Sequence, residues 1–323
     1  MNNSSNNKPF FSISIPAYNR GHILEETLQS IIDQSFTDWE VIIVDDGSTD
    51  NTKEVVARLS AIDSHIRYVY QENAERSAAR NNGAEHALGT YLLFLDSDDA
   101  YKPEHLSKLY ELLKKHEFPV GMAFSNVVYL YETGEETPVI PQMTDNAAFE
   151  YLLLQPITPT RVCIHKDVFK RFRFDPKIVI VEDLVLWVSI ASEFPIYQLQ
   201  EATAIYRIHG GNSVDLSQNS YLSRYKGLQR LFNDKFYQRV SLKIPRQIKK
   251  HLLAECSFNM ARHFEYVKQF GKMNKMLLLS FRHQPNYRNK ERAFMFLSHF
   301  PLSAPFLKKA ASDGRESSTI HDT

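Results

Sequence analysis

Three carboxylates within four positions, Asp96, Asp98 and Asp99, follow directly on the apolar run from Tyr91 to Leu95. Such a run reads as a buried strand of a parallel sheet. Its carboxyl end is where open α/β sheets bind their ligands. Carboxylates this close repel one another unless a cation joins them. A hard divalent ion with oxygen ligands fits that need and can bridge to a substrate diphosphate. The plain alternative is an acidic turn, with Asp99 capping a helix that begins near Pro103.

The same design recurs upstream. The apolar run from Trp39 to Val44 ends in Asp45 and Asp46, and Ser48, Thr49 and Asp50 are N-cap candidates for a helix over 52–59. The first strand, from Phe11, runs into Pro16, Ala17, Tyr18, Asn19 and Arg20. Helical patterns over 22–34 and 77–88, a short strand over 66–70 and a stop at Gly89 complete a β-α-β-α order. That order predicts an α/β fold with a doubly wound, mostly parallel sheet. Further on, the apolar run 178–181 precedes Glu182 and Asp183, which open a helical pattern over 184–191. Acids at a helix start suit its dipole, and a carboxylate there can equally serve as a general base. His209 follows a short strand pattern over 203–208, in the Gly-containing loop 207–213.

Taken in order, Pro16-Ala-Tyr-Asn19, Val44-Asp-Asp-Gly-Ser-Thr-Asp50, Ala79-Arg-Asn-Asn-Gly83, Leu95-Asp-Ser-Asp-Asp99, Glu182-Asp183 and Tyr206-Arg-Ile-His209 closely resemble the motifs of the family 2 glycosyltransferases of the GT-A fold. The resemblance spans residues 8 to 215. It implies inverting transfer of a sugar from a nucleotide diphosphate donor, UDP by default, with Mn²⁺ or Mg²⁺ as cofactor. By the same resemblance Asp98 is the first metal ligand, Asp96 meets the metal or the donor ribose, and His209 reaches the metal or diphosphate as its loop closes. Asp45 accepts from a uracil N–H in a crevice floored by Pro16, Ala17 and Tyr18, a loop that Asn19 and Arg20 extend. Asp46 stands beside it, on the donor side or tying down the Gly47 turn. Arg80 faces the nucleotide or phosphates, with a surface ion pair as the alternative, and Arg207 contacts phosphate. Asp183 is the base, and Glu182 supports it or touches the acceptor.

The chain has 323 residues, enough for one large core or two modest ones. Its net charge of +0 hides a division. Residues 215–323 hold 20 Lys plus Arg against 8 Asp plus Glu, so residues 1–214 carry the opposite excess. The basic half reads as helices over 221–232, 246–270, 272–281 and 289–300. It contains Lys249, Lys250, Lys308 and Lys309, with Phe294, Phe296, Phe300 and Phe306 among them. The expected organisation is a disordered lead over 1–8, a transferase domain over 9–214, a basic helical region over 215–310 and a disordered tail over 311–323. Basic residues interleaved with aromatics suit an anionic membrane surface. An ordinary helical subdomain, or a homodimer surface, is the other reading. No nucleic-acid motif is recognisable. Two cysteines cannot build a disulfide framework. With no signal peptide and no run of ~18 apolar residues, the expected place is the cytoplasm, at or near the inner membrane face. The acceptor expected from the resemblance is a saccharide or a lipid-linked glycan of surface polysaccharide synthesis. A nucleotidyltransferase would place a Gly-rich basic loop after its first strand, where this chain has Pro16-Ala-Tyr-Asn-Arg20. A non-catalytic sugar-nucleotide binder would be favoured by loss of an acidic motif, and none is lost.

Overall fold

In the computed structural model the described residues are 8–144, 147–209 and 218–297. The chain forms two compact units, Met1–Ser213 and Val214–Thr323.

The first unit is built on strands that are buried on both faces. Strand β1 (Phe11–Ala17) and β2 (Trp39–Asp46) are buried almost throughout, as parallel strands covered by helices must be. Helix α1 (Leu24–Ile32) buries Leu24, Leu28 and Ile31, one stripe at helical spacing. Helix α2 (Thr52–Ile62) buries Val55, Val56 and Leu59 in the same way. Then follow β3 (Ile66–Gln71), α3 (Glu75–His86), β4 (Tyr91–Phe94), β5 (Ala100–Tyr101), α4 (His105–Lys115), β6 (Met122–Tyr131) and β7 (Gly134–Glu136). Helix α5 (Ala148–Leu154), β8 (Val162–His165), α6 (Lys166–Arg171), α7 (Glu182–Ala191) and β9 (Ile196–Arg207) complete the unit.

The sheet order is β3-β2-β1-β4-β8-β6-β9-β5, with β7 on β6. The first four strands are parallel. Beyond β4 the sheet is mixed: β8 runs antiparallel to β4 and β6, while β9 is parallel to β6. Register decides the site. Ala17 lies opposite Asp45, and Asp45 opposite Tyr70, so β1, β2 and β3 end level with one another. Gly83 lets α3 lie flat on these strands, because a Cβ there would stand 2.1 Å from Ser14 Oγ.

Some boundaries differ from the pattern-based expectation. Helix α3 starts at Glu75, two residues early, because its first turn is polar and carries no apolar signal. The short strand expected over 203–208 is the end of the twelve-residue β9, whose Gln198, Gln200 and Glu201 masked its start. The run 178–181 is loop.

The second unit is helical: α8 (Gln218–Asn233), α9 (Gln238–Lys243), α10 (Arg246–Tyr266), α11 (Phe270–His283) and α12 (Asn289–Leu297). Its core gathers Phe258, Ala261, Phe264, Met273, Leu277 and Met295. The helix expected over 246–270 breaks at Lys268, which has φ of 57°; apolar spacing continues through the break and conceals it. No helix among the described residues is long and apolar enough to cross a membrane. The lead, the tail, the loop 210–213 and the expected contacts of Phe300, Phe306, Lys308 and Lys309 lie outside the described residues.

Candidate active site

The ends of β1, β2 and β4 open into a polar cleft of about 350 Å³. Pro16, Ala17, Tyr18 and Arg20 form a wall of it, and Asp46 and Asn73 also line it. Strand alternation puts neighbouring side chains on opposite faces, and this separates Asp45 from Asp46. Asp45 is 2% exposed. It accepts from Ser48 N at 2.8 Å and from Tyr68 Oη at 2.6 Å. Asp46 accepts from Gln71 Nε2 at 2.6 Å and Ala74 N at 2.9 Å, both on Oδ1. Asp45 thus ties down the Gly47 turn, the part expected of Asp46, and is not among the cleft-lining residues, while Asp46 lines the cleft.

The wall is held by loop-to-loop hydrogen bonds. Asn19 N donates to Ser48 Oγ at 2.9 Å, and Thr49 N donates to Asn19 Oδ1 at 2.8 Å. Arg20 N donates to Thr52 Oγ1 at 3.0 Å, and Gly21 N to Asp50 Oδ2 at 3.1 Å. Asn19 has φ of 54°, a left-handed conformation that Asn tolerates better than most residues. Its part is thus to hold the loop rather than to line the cleft. The N-cap of α2 is Asn51, which makes no side-chain cap bond; the capping expected of this stretch comes from Asp50, whose Oδ1 accepts from Thr52 N, the first helical N–H, at 3.0 Å.

The floor carries one buried cation. Arg80 is 2% exposed and donates to Asp96 at 2.6 Å and to Glu182 at 3.2 Å. Burial works against its charge, but the carboxylates of Asp96 and Glu182 outweigh burial and raise its pKa. The surface ion pair is excluded: Arg80 is buried, lines the cleft, and holds both carboxylates there. Arg76, one turn earlier on α3, lines the cleft and stands 3.4 Å from Glu182.

The acidic loop divides its three carboxylates among three tasks. Asp96 takes Arg80. Asp98 Oδ2 lies 3.2 Å from His209 Nε2 and 3.6 Å from Arg20 Nη2. Asp99 is fully buried; it accepts from the Thr160 hydroxyl and from Arg207 N at 3.0 Å. It caps no helix, since the N-cap of α4 is Glu104, which makes no side-chain cap bond. Burial, with the Asp96 charge next, pushes the Asp99 pKa well up. By holding the end of β9, Asp99 brings His209 to Asp98. The Arg207 side chain meets Glu26 at 3.1 Å and does not line the cleft.

A carboxylate oxygen and an imidazole nitrogen at this distance fit two positions around one divalent ion, Mn²⁺ better than Mg²⁺ on ligand type. Among the described residues no three His, Cys, Asp or Glu side chains converge as a ready metal cage. A substrate diphosphate would have to supply further oxygens.

Glu182 and Asp183 begin α7 after Val181, whose φ of 68° is an outlier for a β-branched residue. That backbone turn sets both carboxylates at one helix end. Leu184 N donates to Asp183 Oδ1 at 2.7 Å. Burial first, then the Glu182 charge, push the Asp183 carboxyl up to about 7, against the pull of the Leu184 N–H and of Arg80 and Arg76. A carboxyl with that pKa is matched to proton transfer near neutrality.

Sequence reasoning missed Asn73, Arg76, Tyr206 and Thr160 as parts of this site. Arg76 was findable, being four residues before Arg80 and so on the same helix face. Tyr206 opens the motif Tyr206-Arg-Ile-His209 and was findable there, whereas Asn73 and Thr160 carry no local signal.

Comparison with known proteins agrees with this geometry. The sequence profile described as "Glycosyl transferase family 2" matches residues 12–172. The protein of Bacillus subtilis (strain 168) named "Putative teichuronic acid biosynthesis glycosyltransferase TuaG" is 34% identical over 63% of this chain and 81% of its own. The "GalNAc(5)-diNAcBac-PP-undecaprenol beta-1,3-glucosyltransferase" of Campylobacter jejuni is 29% identical over 66% and 70% of the two chains. An uncharacterized glycosyltransferase of Rickettsia felis is 30% identical over 65% of this chain, which spans only 35% of that longer protein. Among solved structures, S. aureus TarS 1-349 in complex with UDP-GlcNAc superposes with a TM-score of 0.58 at 18% identity, over 86% of this chain and 93% of that one. The mannosyltransferase PcManGT from Pyrobaculum calidifontis, in complex with GDP-Man and Mn²⁺, gives 0.59 at 16% identity, over 96% and 81%. Those likenesses establish the GT-A type of fold. With TuaG similar over most of its length and the family profile lying on the strands that build the cleft, this chain belongs to glycosyl transferase family 2.

Proposed function

We propose that this glycosyltransferase moves a hexosyl or N-acetylhexosaminyl group from a UDP-sugar to a saccharide or lipid-linked acceptor of surface polysaccharide synthesis, with inversion. The observation that carries the reading is the ionic chain Asp96–Arg80–Glu182. It ties the acidic loop, whose Asp98 meets His209, to the helix start that bears Asp183, which supports a diphosphate-side pair and a proton-accepting carboxyl on two segments held together. The acceptor class is supported by the names of TuaG and of the C. jejuni enzyme. The donor class is supported by the UDP-GlcNAc complex of TarS.

In this reading the nucleobase enters between Tyr18 and Asp46, and Asp46 accepts from a base N–H. Asp45 acts through the turn it holds. Pro16 and Ala17 floor the crevice. Arg20 lies beside Asp98 and turns to the diphosphate. Asp98 and His209 would hold the divalent ion, which supplies Lewis-acid neutralisation of the leaving diphosphate. Asp183 takes the proton of the acceptor hydroxyl as that oxygen attacks the anomeric carbon. Glu182, fixed by Arg80 and Arg76, keeps the acceptor side rigid. The catalytic domain is residues 9–214, followed by the basic helical region, and the enzyme works in the cytoplasm where a lipid-linked acceptor is presented.

The test is a thermal-shift panel of nucleotides and nucleotide sugars with and without Mn²⁺. A ligand that binds only the native state raises the melting temperature by mass action. UDP and one UDP-sugar are expected to stand out, more so with Mn²⁺. No shift with any nucleotide overturns the transferase reading of the cleft. A product that keeps the donor's anomeric configuration overturns inversion.

A further inference from the structure

The helical unit carries a second surface with its own chemistry. The buried stripe of α11 is Met273, Leu277 and Ser280. Away from it the helix exposes Lys275, Leu278, Phe281 and Arg282. Leu278 and Phe281 are each 52% exposed, and Phe294 of α12 is 50% exposed. Helix α12 meets α11 where Arg292 lies over the Phe281 ring at 5.6 Å. Phe294 lies instead in a separate, largely apolar groove of about 740 Å³ between α10 and α12, whose charged lining is mixed, with Arg262, Arg288 and Lys290 beside Glu265 and Glu291.

From Phe270 to Leu297 the chain exposes five basic residues, Lys272, Lys275, Arg282, Arg288 and Lys290, and its single acidic residue is Glu291. That charge selects the occupant. A symmetric dimer through this face would press the same basic patch against itself, which like-charge repulsion opposes. An anionic lipid surface satisfies both halves of the pattern, because basic groups stay at the headgroups while the apolar side chains enter the acyl boundary. Lys249, which the sequence alone suggests for such a contact, faces inward instead: it donates to Ser241 at 2.7 Å and lies over the Phe232 ring.

We propose that the outer face of α11, centred on Leu278 and Phe281 between Lys275 and Arg282, is a docking surface for an anionic lipid bilayer. It deepens the proposed function by placing the enzyme where lipid-linked acceptors are found, and it is tested separately from it. Full-length protein is sedimented with phosphatidylcholine vesicles, with and without phosphatidylglycerol, at low and high salt. Binding is expected only with the anionic vesicles, falling at least ~5-fold at high salt, since headgroup attraction is screened. Lys275→Glu with Arg282→Glu, and separately Leu278→Ser with Phe281→Ser, should each abolish pelleting. UDP binding should be unchanged in both, which shows that the variants are folded. Equal, negligible pelleting with both vesicles overturns the proposal and leaves the transferase reading to UDP binding. Pelleting that survives both double substitutions also overturns it. So does a concentration-dependent dimer that the same substitutions dissolve in the absence of lipid binding, since the face would then belong to a second copy.

Discussion

Arg80 and Glu182 are 102 positions apart in the chain and meet at 3.2 Å in the core of the cleft floor. The same guanidinium holds Asp96 at 2.6 Å. One buried cation therefore joins the acidic loop after β4 to the start of α7. It fixes Asp96 and Glu182 in one frame.

Replacing Arg80 by Met keeps much of the volume and leaves two carboxylates without their cation. Breaking a buried pair in this way typically costs roughly 3–5 kcal/mol. Urea unfolding should show a loss of that order. Double substitution with Glu182→Gln should recover part of it, because the uncompensated charge is then reduced. A loss below ~1 kcal/mol would mean that water already screens the pair.

Asp98→Asn removes the main anionic oxygen facing His209. Sugar transfer should fall by at least ~10²-fold, the order seen when one electrostatic stabiliser is lost, while circular dichroism and the melting temperature without ligand stay near wild type. Excess EDTA should inactivate the wild-type enzyme. Full activity in EDTA would contradict metal use.

Asp183 yields two linked expectations. As a base it works ionised, so kcat/KM should rise with pH through about 7 and level off above. Its effect on stability has the opposite sign. Between the ordinary carboxyl pKa and about 7 the native state binds more protons than the unfolded chain, so this group removes stability as pH rises through that window. Asp183→Asn should abolish transfer, retain UDP binding, and gain melting temperature over wild type at mildly alkaline pH but little in acid. Loss of UDP binding in this variant would make Asp183 part of the donor site.

Asp46 and Asp45 are separable by substitution. Asp46→Asn should weaken UDP binding in calorimetry with a small change in stability. Asp45→Ala should chiefly destabilise the fold, by about 1–3 kcal/mol, because the Tyr68 hydroxyl and Ser48 N–H lose a buried acceptor. The reverse outcome would return the nucleobase contact to Asp45.

Thr160→Val tests how the loop after β9 is held. It removes a hydroxyl donor to buried Asp99, and Asp99 in turn holds Arg207 N two residues before His209. Donor KM should rise with Mn²⁺ present, while binding of metal-free UDP is little changed. An equal loss in both would point to general unfolding of the loop.

The parallel strands, the helices between them and the acidic strand ends were legible in the sequence, because buried strands are uninterrupted apolar runs and surface helices repeat at their own period. Those signals are local, and so they also located the cleft at the ends of the strands from Phe11, Trp39 and Tyr91. The partners of each charge were decided only by tertiary structure. No spacing rule shows that Arg80 would meet Glu182, that Asp99 would turn inward to Thr160 and Arg207, or that Lys249 would fold back onto Phe232. Asp45 and Asp46 look equivalent in the chain, yet strand alternation sends one to the Gly47 turn and the other into the cleft. Likewise the break at Lys268 leaves apolar spacing intact while turning the chain through a left-handed backbone angle. Charge pairing and backbone reversal depend on which remote segments pack together, and one-dimensional periodicity carries no record of that.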